Sequence, residues 1–410
     1  MMLSRRQFAL TAAAAAMPQF SVRWAEAAAP TDRAIVVVFL RGGMDVLNLL
    51  APADDPFYEQ SRVPQLRVPL TGDGKGILLG AVAGSGDLLL NANAQPLATL
   101  FKAGRLALIP AAGLNNATRS HFQAMELMEK GLDRMGSSSP RDGWLTRVAT
   151  HFGDPTPGNV LSIGGALPQS LSLCEEALSV SDVWEIDWVP SSSFAEALLN
   201  LHRGDSVIDR ASRQALTASR NLAKRLSRNS KNEPMLRDAP VGVTYPDEEF
   251  GRQLHLLAEL LQQNPNVHIA SVDLDGWDMH ENQPDRFAPL ARTLAAGLEA
   301  FNNHLQSIGR PTTVVVMSEF GRRIKANESR GTDHGHGGMM MVMDPDVKGG
   351  FHGRWPGLAP EQLDQGMDLA VTTDFRDVLA SVLKHANAEA AIGAAFPGYK
   401  GAGIEGLFKA

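Results

Sequence analysis

The chain has 410 residues, 44% hydrophobic and 20% charged, the proportions of a globular protein long enough for one large α/β domain or two smaller ones. A formal charge of −7 gives no basic footprint, which argues against non-specific nucleic-acid binding. The single cysteine, Cys174, excludes an intramolecular disulfide and, set in an apolar run, reads as a small core residue.

In chain order, Ser4-Arg5-Arg6-Gln7-Phe8-Ala9-Leu10 and an alanine run from Ala12 to Ala16 have the order of a twin-arginine export signal. The apolar stretch is far short of the roughly 20 residues that span a bilayer. Ala25-Glu26-Ala27 offers small residues at the two positions a signal peptidase reads. Residues 1–27 are therefore expected to be a removable leader. Residues 28–410 form a single mature domain, carried by the twin-arginine translocase to the periplasm or beyond. Losing the leader's three arginines and one glutamate takes the formal charge to −9. No later segment looks able to span a membrane, so no stable membrane insertion is expected.

Ala34 to Leu40 is a continuous β-branched and apolar run, the pattern of a strand covered on both faces. It ends at Arg41-Gly42-Gly43-Met44-Asp45, whose glycines mark a tight turn. A second buried strand runs from Leu106 to Leu114, followed by Asn115 to His121 and a helical pattern from Phe122 to Gly131. Residues 193–228 and 247–262 are helix-rich, and 180–262 reads as a helical insertion packed on the sheet domain. Val267 to Leu274 is a third strand, leading into Asp275-Gly276-Trp277-Asp278-Met279-His280. Leu290, Leu294, Leu298, Phe301 and Leu305 then recur at helical spacing, predicting a helix over 286–307. A fourth strand, Thr312 to Met317, ends at Ser318-Glu319-Phe320-Gly321-Arg322. A fifth, Gly338 to Met343, follows Gly331-Thr332-Asp333-His334-Gly335-His336-Gly337. Alternating buried strands and amphipathic helices predict a doubly wound, mostly parallel α/β sheet with helices on both faces.

Polar residues placed on this sheet gather at the strand ends. Asp45 follows the first strand, Ser120 and His121 the second, Asp278 and His280 the third and Glu319 the fourth, with Asp333, His334 and His336 in the next loop. In open α/β sheets ligands bind outside the carboxyl ends of the strands, so residues far apart in the chain are expected to meet in one site. Mixed Asp, Glu and His ligands suit Zn²⁺ or another borderline divalent ion, whereas all-oxygen sets suit Mg²⁺ or Ca²⁺. Any one of these histidines would more often be an ordinary surface or capping residue; their shared placement is what points to a metal. His352, in Gly350-Phe351-His352-Gly353, is a peripheral candidate. Ser120, before an apolar helix, also fits a helix N-cap.

The ordered set Arg41-Gly42-Gly43-Met44-Asp45, Arg119-Ser120-His121-Phe122, Gly276-Trp277-Asp278-Met279-His280, Ser318-Glu319-Phe320-Gly321-Arg322 and Gly331-Thr332-Asp333-His334-Gly335 resembles the bacterial domain-of-unknown-function family 1501 over nearly all of the mature chain. That family is grouped with the alkaline phosphatase, sulfatase and phosphoglycerate mutase superfamily. The resemblance implies an alkaline-phosphatase-like fold, one or two divalent metals (Zn²⁺ first, with Mg²⁺, Mn²⁺ or Ca²⁺ as alternatives) and a phosphate or sulfate ester of a small molecule or glycan as substrate. It implies a metal ligand at Asp45, a nucleophile at Ser120 with Thr118 as fallback, and second-metal ligands at Asp278 and His280. Arg119 or Arg322 is implied to hold the non-bridging oxygens. Glu319 stands where the superfamily has an Asp-His pair, and Phe320 occupies the histidine position. Either Asp333-His334 supplies that pair, or His334 completes the second-metal set. His121 and His336 complete the candidate ligands. The departure at Phe320 also fits a non-catalytic exported binding or assembly protein that kept the fold.

Overall fold

The computed structural model describes residues 33–152, 156–187 and 191–409, so the expected leader lies outside the described residues. Strand β1 (Ala34–Leu40) is buried at every position because both of its faces are covered. Val36 and Val38 pack on one side with Leu254, Leu294 and Leu298; Ile35 and Val37 pack on the other with Val378 and Leu383.

The other strands of the main sheet are β2 (Leu106–Gly113), β3 (Val160–Ile163), β4 (Ala177–Val180), β5 (Ile269–Leu274), β6 (Thr312–Met317), β7 (Gly338–Met343), β8 (Gly350–Phe351) and β9 (Thr373–Asp374). Their spatial order is β8-β2-β7-β6-β1-β5-β3-β4, with β9 also on β2. The pairings β1 with β5 and β6, β5 with β3, and β3 with β4 are parallel. Strand β7 alone runs against its neighbours, β6 and β2. The sheet is therefore doubly wound and mostly parallel. Sequence periodicity does not reveal β3 and β4, because four residues are too few for a period to register.

The helices are α1 (Gln95–Lys102), α2 (His121–Glu129), α3 (Trp144–Ala149), α4 (Ser192–Leu201), α5 (Val207–Ala223), α6 (Glu249–Gln263), α7 (Gln283–Ser307) and α8 (Phe375–His385). Apolar residues of α1, α6 and α7 share one core, and those of α2, α3 and α8 share the core on the opposite face. Helix α6 thus lies on the sheet itself, with Phe250, Leu254, Leu257 and Leu261 buried. Helices α4 and α5 pack against each other and leave Leu201 and Ile208 exposed. No helix among the described residues is long and apolar enough to cross a membrane.

The reversed β7 matters for everything at the carboxyl edge. From the end of β6 the chain passes through an antiparallel hairpin, Arg322–Ala326 with Thr332–His334, and enters β7 from the same edge. A loop that precedes a strand therefore reaches the place where the other strands deliver the loops that follow them.

Candidate metal centre

Four chain segments meet above β2, β7, β6 and β1. Helix α2 begins at His121, the loop after β5 brings Asp278 and His280, the end of β6 brings Glu319, and the hairpin before β7 brings Asp333 and His334. Asp278 Oδ1 is the hub. It lies 3.4 Å from His121 Nε2, 3.0 Å from His280 Nε2 and 3.3 Å from His334 Nε2. Ligand atoms about 2.0–2.1 Å from a tetrahedral ion stand roughly 3.4 Å apart, the spacing seen here. The two inner nitrogens of His280 and His334 are closer, at 2.8 Å.

The other ring nitrogen of each histidine has an oxygen partner behind it. His121 Nδ1 donates to Glu319 Oε1 at 2.7 Å, His334 Nδ1 to the Arg119 carbonyl at 2.8 Å, and His280 Nδ1 faces Asp333 Oδ1 at 3.3 Å. Protons at Nδ1 leave Nε2 lone pairs converging on Asp278 Oδ1, which also accepts from Arg322 Nη1 at 2.9 Å. His121 Nε2 is buried and has no hydrogen-bond partner among the described residues. An inward set of lone pairs backed by a carboxylate, a carbonyl and a second carboxylate is how proteins hold a divalent cation. The donor set fits a borderline ion such as Zn²⁺. Asp278 keeps a 47% exposed side chain, so the centre is open on one side.

Electrostatics follow from these partners. The Glu319 hydrogen bond raises His121, against the opposing effect of burial. Burial pulls His334 below the usual histidine range. For Asp278, burial alone would raise the carboxyl, but the hydrogen bond and charge of Arg322 outweigh it and hold the group low.

The local backbone makes this approach feasible. Gly42 has φ +119°, and a Cβ there would stand 2.2 Å from Asp278 N. Its own N–H donates to Glu319 Oε1 at 2.9 Å. One glycine thus seats both the loop carrying Asp278 and the carboxylate behind His121. At Gly335 a Cβ would fall 2.5 Å from the Arg322 carbonyl carbon, so the hairpin closes only without a side chain.

Several expected residues take other places. Asp45, expected as a ligand, is 3% exposed and satisfied: Oδ1 accepts from Leu47 N and Asn48 N, and Oδ2 binds Arg62 and Gln283. It caps the short helix Val46–Leu49 and balances a buried guanidinium. Glu319, also expected as a ligand, sits one step further back, its oxygens taken by Gly42, His121 and Ser318. Arg322 is buried against Asp278 at 2.9 Å and bonded to Thr332 O and Gly42 O. Arg119 is clamped by Asp364 and Asp368. Both guanidinium groups are thus committed to carboxylates of the chain. His336 turns away, with Nε2 2.8 Å from the Leu114 carbonyl and Nδ1 3.3 Å from Asp364. His352 faces the Lys348 carbonyl.

Ser120 stands between Arg119, whose carbonyl holds His334, and His121. It occupies the N-cap position of α2, yet its exposed side chain makes no capping hydrogen bond. Thr118 Oγ1 is spent on Gln123, 2.6 Å away. Phe320 is buried against the rings of His121 and His334, at centroid distances of 4.8 and 5.0 Å, so it forms an apolar wall of the centre.

Sequence reasoning missed the supporting residues. Arg62, Gln283, Asp364 and Asp368 lie outside every motif and announce themselves only by burial and contact. A second grouping, Asp344, Asp346 and His385, lies past the far end of β7, where Arg33 already pairs with both carboxylates.

A doubly wound α/β fold with histidines and a carboxylate gathered at its carboxyl edge defines the class of this protein. Within that class, the chain belongs to the family described as "Protein of unknown function (DUF1501)", matched over residues 32–387. Solved structures similar to it include the C-terminal periplasmic domain of EcEptC from Escherichia coli in complex with Zn. That likeness has TM-score 0.35 and 8% identity, covering 78% of this chain and 75% of that one. An alkaline phosphatase from the Antarctic bacterium TAB5 is similar at TM-score 0.31 and 8% identity, over 91% and 100% of the two chains. A putative sulfatase from Bacteroides thetaiotaomicron is similar at TM-score 0.30 and 10% identity, over 91% and 76%. No curated protein matches the sequence.

Proposed function

We propose that this protein is an exported, metal-dependent hydrolase of phosphate or sulfate esters, with Ser120 as nucleophile. The observation that carries the reading is the inward convergence of His121 Nε2, His334 Nε2 and Asp278 Oδ1, each histidine fixed from behind, with an exposed serine that caps nothing next to His121 in the chain. His121, Asp278 and His334 would hold the ion, with His280 as a fourth contact. A bound divalent cation supplies Lewis acidity toward an ester oxygen and a lowered pKa for a nearby hydroxyl. The chain supplies placement. The first turn of α2, without a side-chain cap, presents N–H groups toward an anion at Ser120. Ser120 Oγ, losing its proton to solvent, would bond to phosphorus or sulfur as the leaving oxygen departs on the opposite side. Water would then release the product and restore the hydroxyl. The twin-arginine leader expected from the sequence would allow the metal to be loaded in the cytoplasm before export.

A second reading, a non-catalytic binding or assembly protein, draws on Phe320, which walls the centre where the superfamily has a ligand. One experiment separates the two. Mature protein from the native export compartment is analysed for metals, then assayed on aryl phosphates, phosphodiesters and sulfates with that metal restored. The expected result is bound divalent ion, turnover, and loss of turnover in Ser120→Ala with the metal retained. Metal without any turnover favours the binding role; absence of both metal and turnover sinks the hydrolase.

A further inference from the structure

Further along the same carboxyl edge, past the tips of β3 and β5, lies a cavity of about 690 Å³. One wall is a single face of α7, with Arg286, Pro289, Leu290 and Thr293 at positions i, i+3, i+4 and i+7. The others come from the amino end of α6 and from the loops that leave the two strands. Gly276 lines the cavity only two residues before Asp278, and two residues span at most about 7 Å.

The lining is acidic. Glu248, Glu249, Asp273 and Asp275 face it, against one cation, Arg286. Asp273 shares Arg41, 3.0 Å away, with the buried Glu129, and the other three carboxylates face one guanidinium. Inside are two hydroxyls without a protein partner. Ser271 and Thr293, 3% and 6% exposed, line the cavity, and neither hydroxyl has a hydrogen-bond partner among the described residues. Both hydroxyls open onto the water of the cavity, so such a lining favours a ligand that replaces that water with donors and acceptors of its own. Leu274, Pro289 and Leu290 add apolar surface of the kind that packs on a ring face.

We infer that this cavity holds the organic part of the ester substrate, and that this part is an aminated, hydroxyl-bearing group of the amino-sugar class. The carboxylates select the ammonium and reject acids, and the unpaired hydroxyls bond the ring substituents. This assignment rests on the ester-hydrolase reading for its place in catalysis, but the binding itself does not need the metal.

The test uses the full mature chain loaded with zinc, titrated calorimetrically with glucosamine, glucose and glucuronate at low salt. Glucosamine should bind at least about tenfold more tightly than glucose, the ratio one charge-assisted hydrogen bond supplies, and glucuronate should bind more weakly than either. The double variant Glu249→Gln, Asp275→Asn should lose about tenfold in glucosamine affinity with its zinc content unchanged. His334→Ala should lose zinc yet still bind glucosamine. Equal affinity for glucuronate, no glucosamine binding, or an unaffected double variant would overturn the cavity assignment. Retention of zinc by His334→Ala would count against the metal centre and leave the cavity standing.

Discussion

Gly42 seats two parts of the centre at once, the Asp278 loop and the Glu319 carboxylate. Its φ of +119° and the 2.2 Å a Cβ would leave to Asp278 N make alanine intolerable without moving the Asp278 loop. Gly42→Ala is predicted to destabilise the protein by about 1–3 kcal/mol and to weaken metal binding by more than tenfold. Urea denaturation and competition with a zinc chromophore would check both, and wild-type zinc affinity would disprove the account. Glu319→Gln tests the carboxylate behind His121. Losing a charged acceptor there should cost 10- to 100-fold in metal affinity while the protein stays folded. At this scale the sequence was informative about residue type and position but not about role. His121, Asp278, His280 and His334 meet as their loop positions suggested. Asp45 and Glu319 sit in equally suggestive loops, yet one caps a helix and the other steadies a histidine. Both carboxylates look the same in a string of letters; a partner 3 Å away decides what each does.

At the level of elements, the buried pattern of β1 and β6 and the helical period of α7 were legible because long apolar runs leave few alternatives. The direction of β7 was not. Its sequence, Gly-Met-Met-Met-Val-Met, is apolar throughout and fits either orientation. Only the hairpin before it, closed by contacts between glycines and backbone, turns it round and brings His334 to the centre. The α6–α7 pair supports a separate prediction. His304 on α7 is 3% exposed, packs near His255 of α6, and lies 3.1 Å from the Tyr245 hydroxyl. Burial, aided by the nearby His255, pulls His304 down to about 4. Because the folded value lies below the unfolded one, near 6.5, the unfolded chain binds the extra proton as pH falls between them. The contribution is fully present above about pH 7, declines from 6.5, and is lost once pH passes 4. At roughly 1.4 kcal/mol per pH unit it amounts to at most about 3.5 kcal/mol. Urea midpoints measured from pH 7.5 to 4 should fall, and His304→Gln should flatten the slope. An equal slope in that variant would remove His304 as the cause.

For the whole molecule, the centre joins segments separated by more than 200 residues, from His121 to His334. An ion bound only in the folded state would therefore tie the edge of the sheet together and stabilise by mass action. With free zinc at about 100 times its dissociation constant, the gain should be about 2.7 kcal/mol, a rise of a few degrees in Tm that a chelator reverses. His334→Ala should show no such response. A zinc-induced rise that survives in that variant would place the ion elsewhere, with Asp344, Asp346 and His385 the first place to look.

By itself the sequence determined the alternation of buried strands and amphipathic helices, the gathering of polar residues at strand ends and the family. Each of these depends on local pattern and composition, which a linear chain displays. Tertiary structure alone decided which nitrogens face one another, which carboxylates are already spent on Arg62, Arg119 or a histidine, and where the acidic cavity opens. Those outcomes depend on distances of about 3 Å between residues remote in the chain, and on the reversal of one strand, which no local pattern encodes.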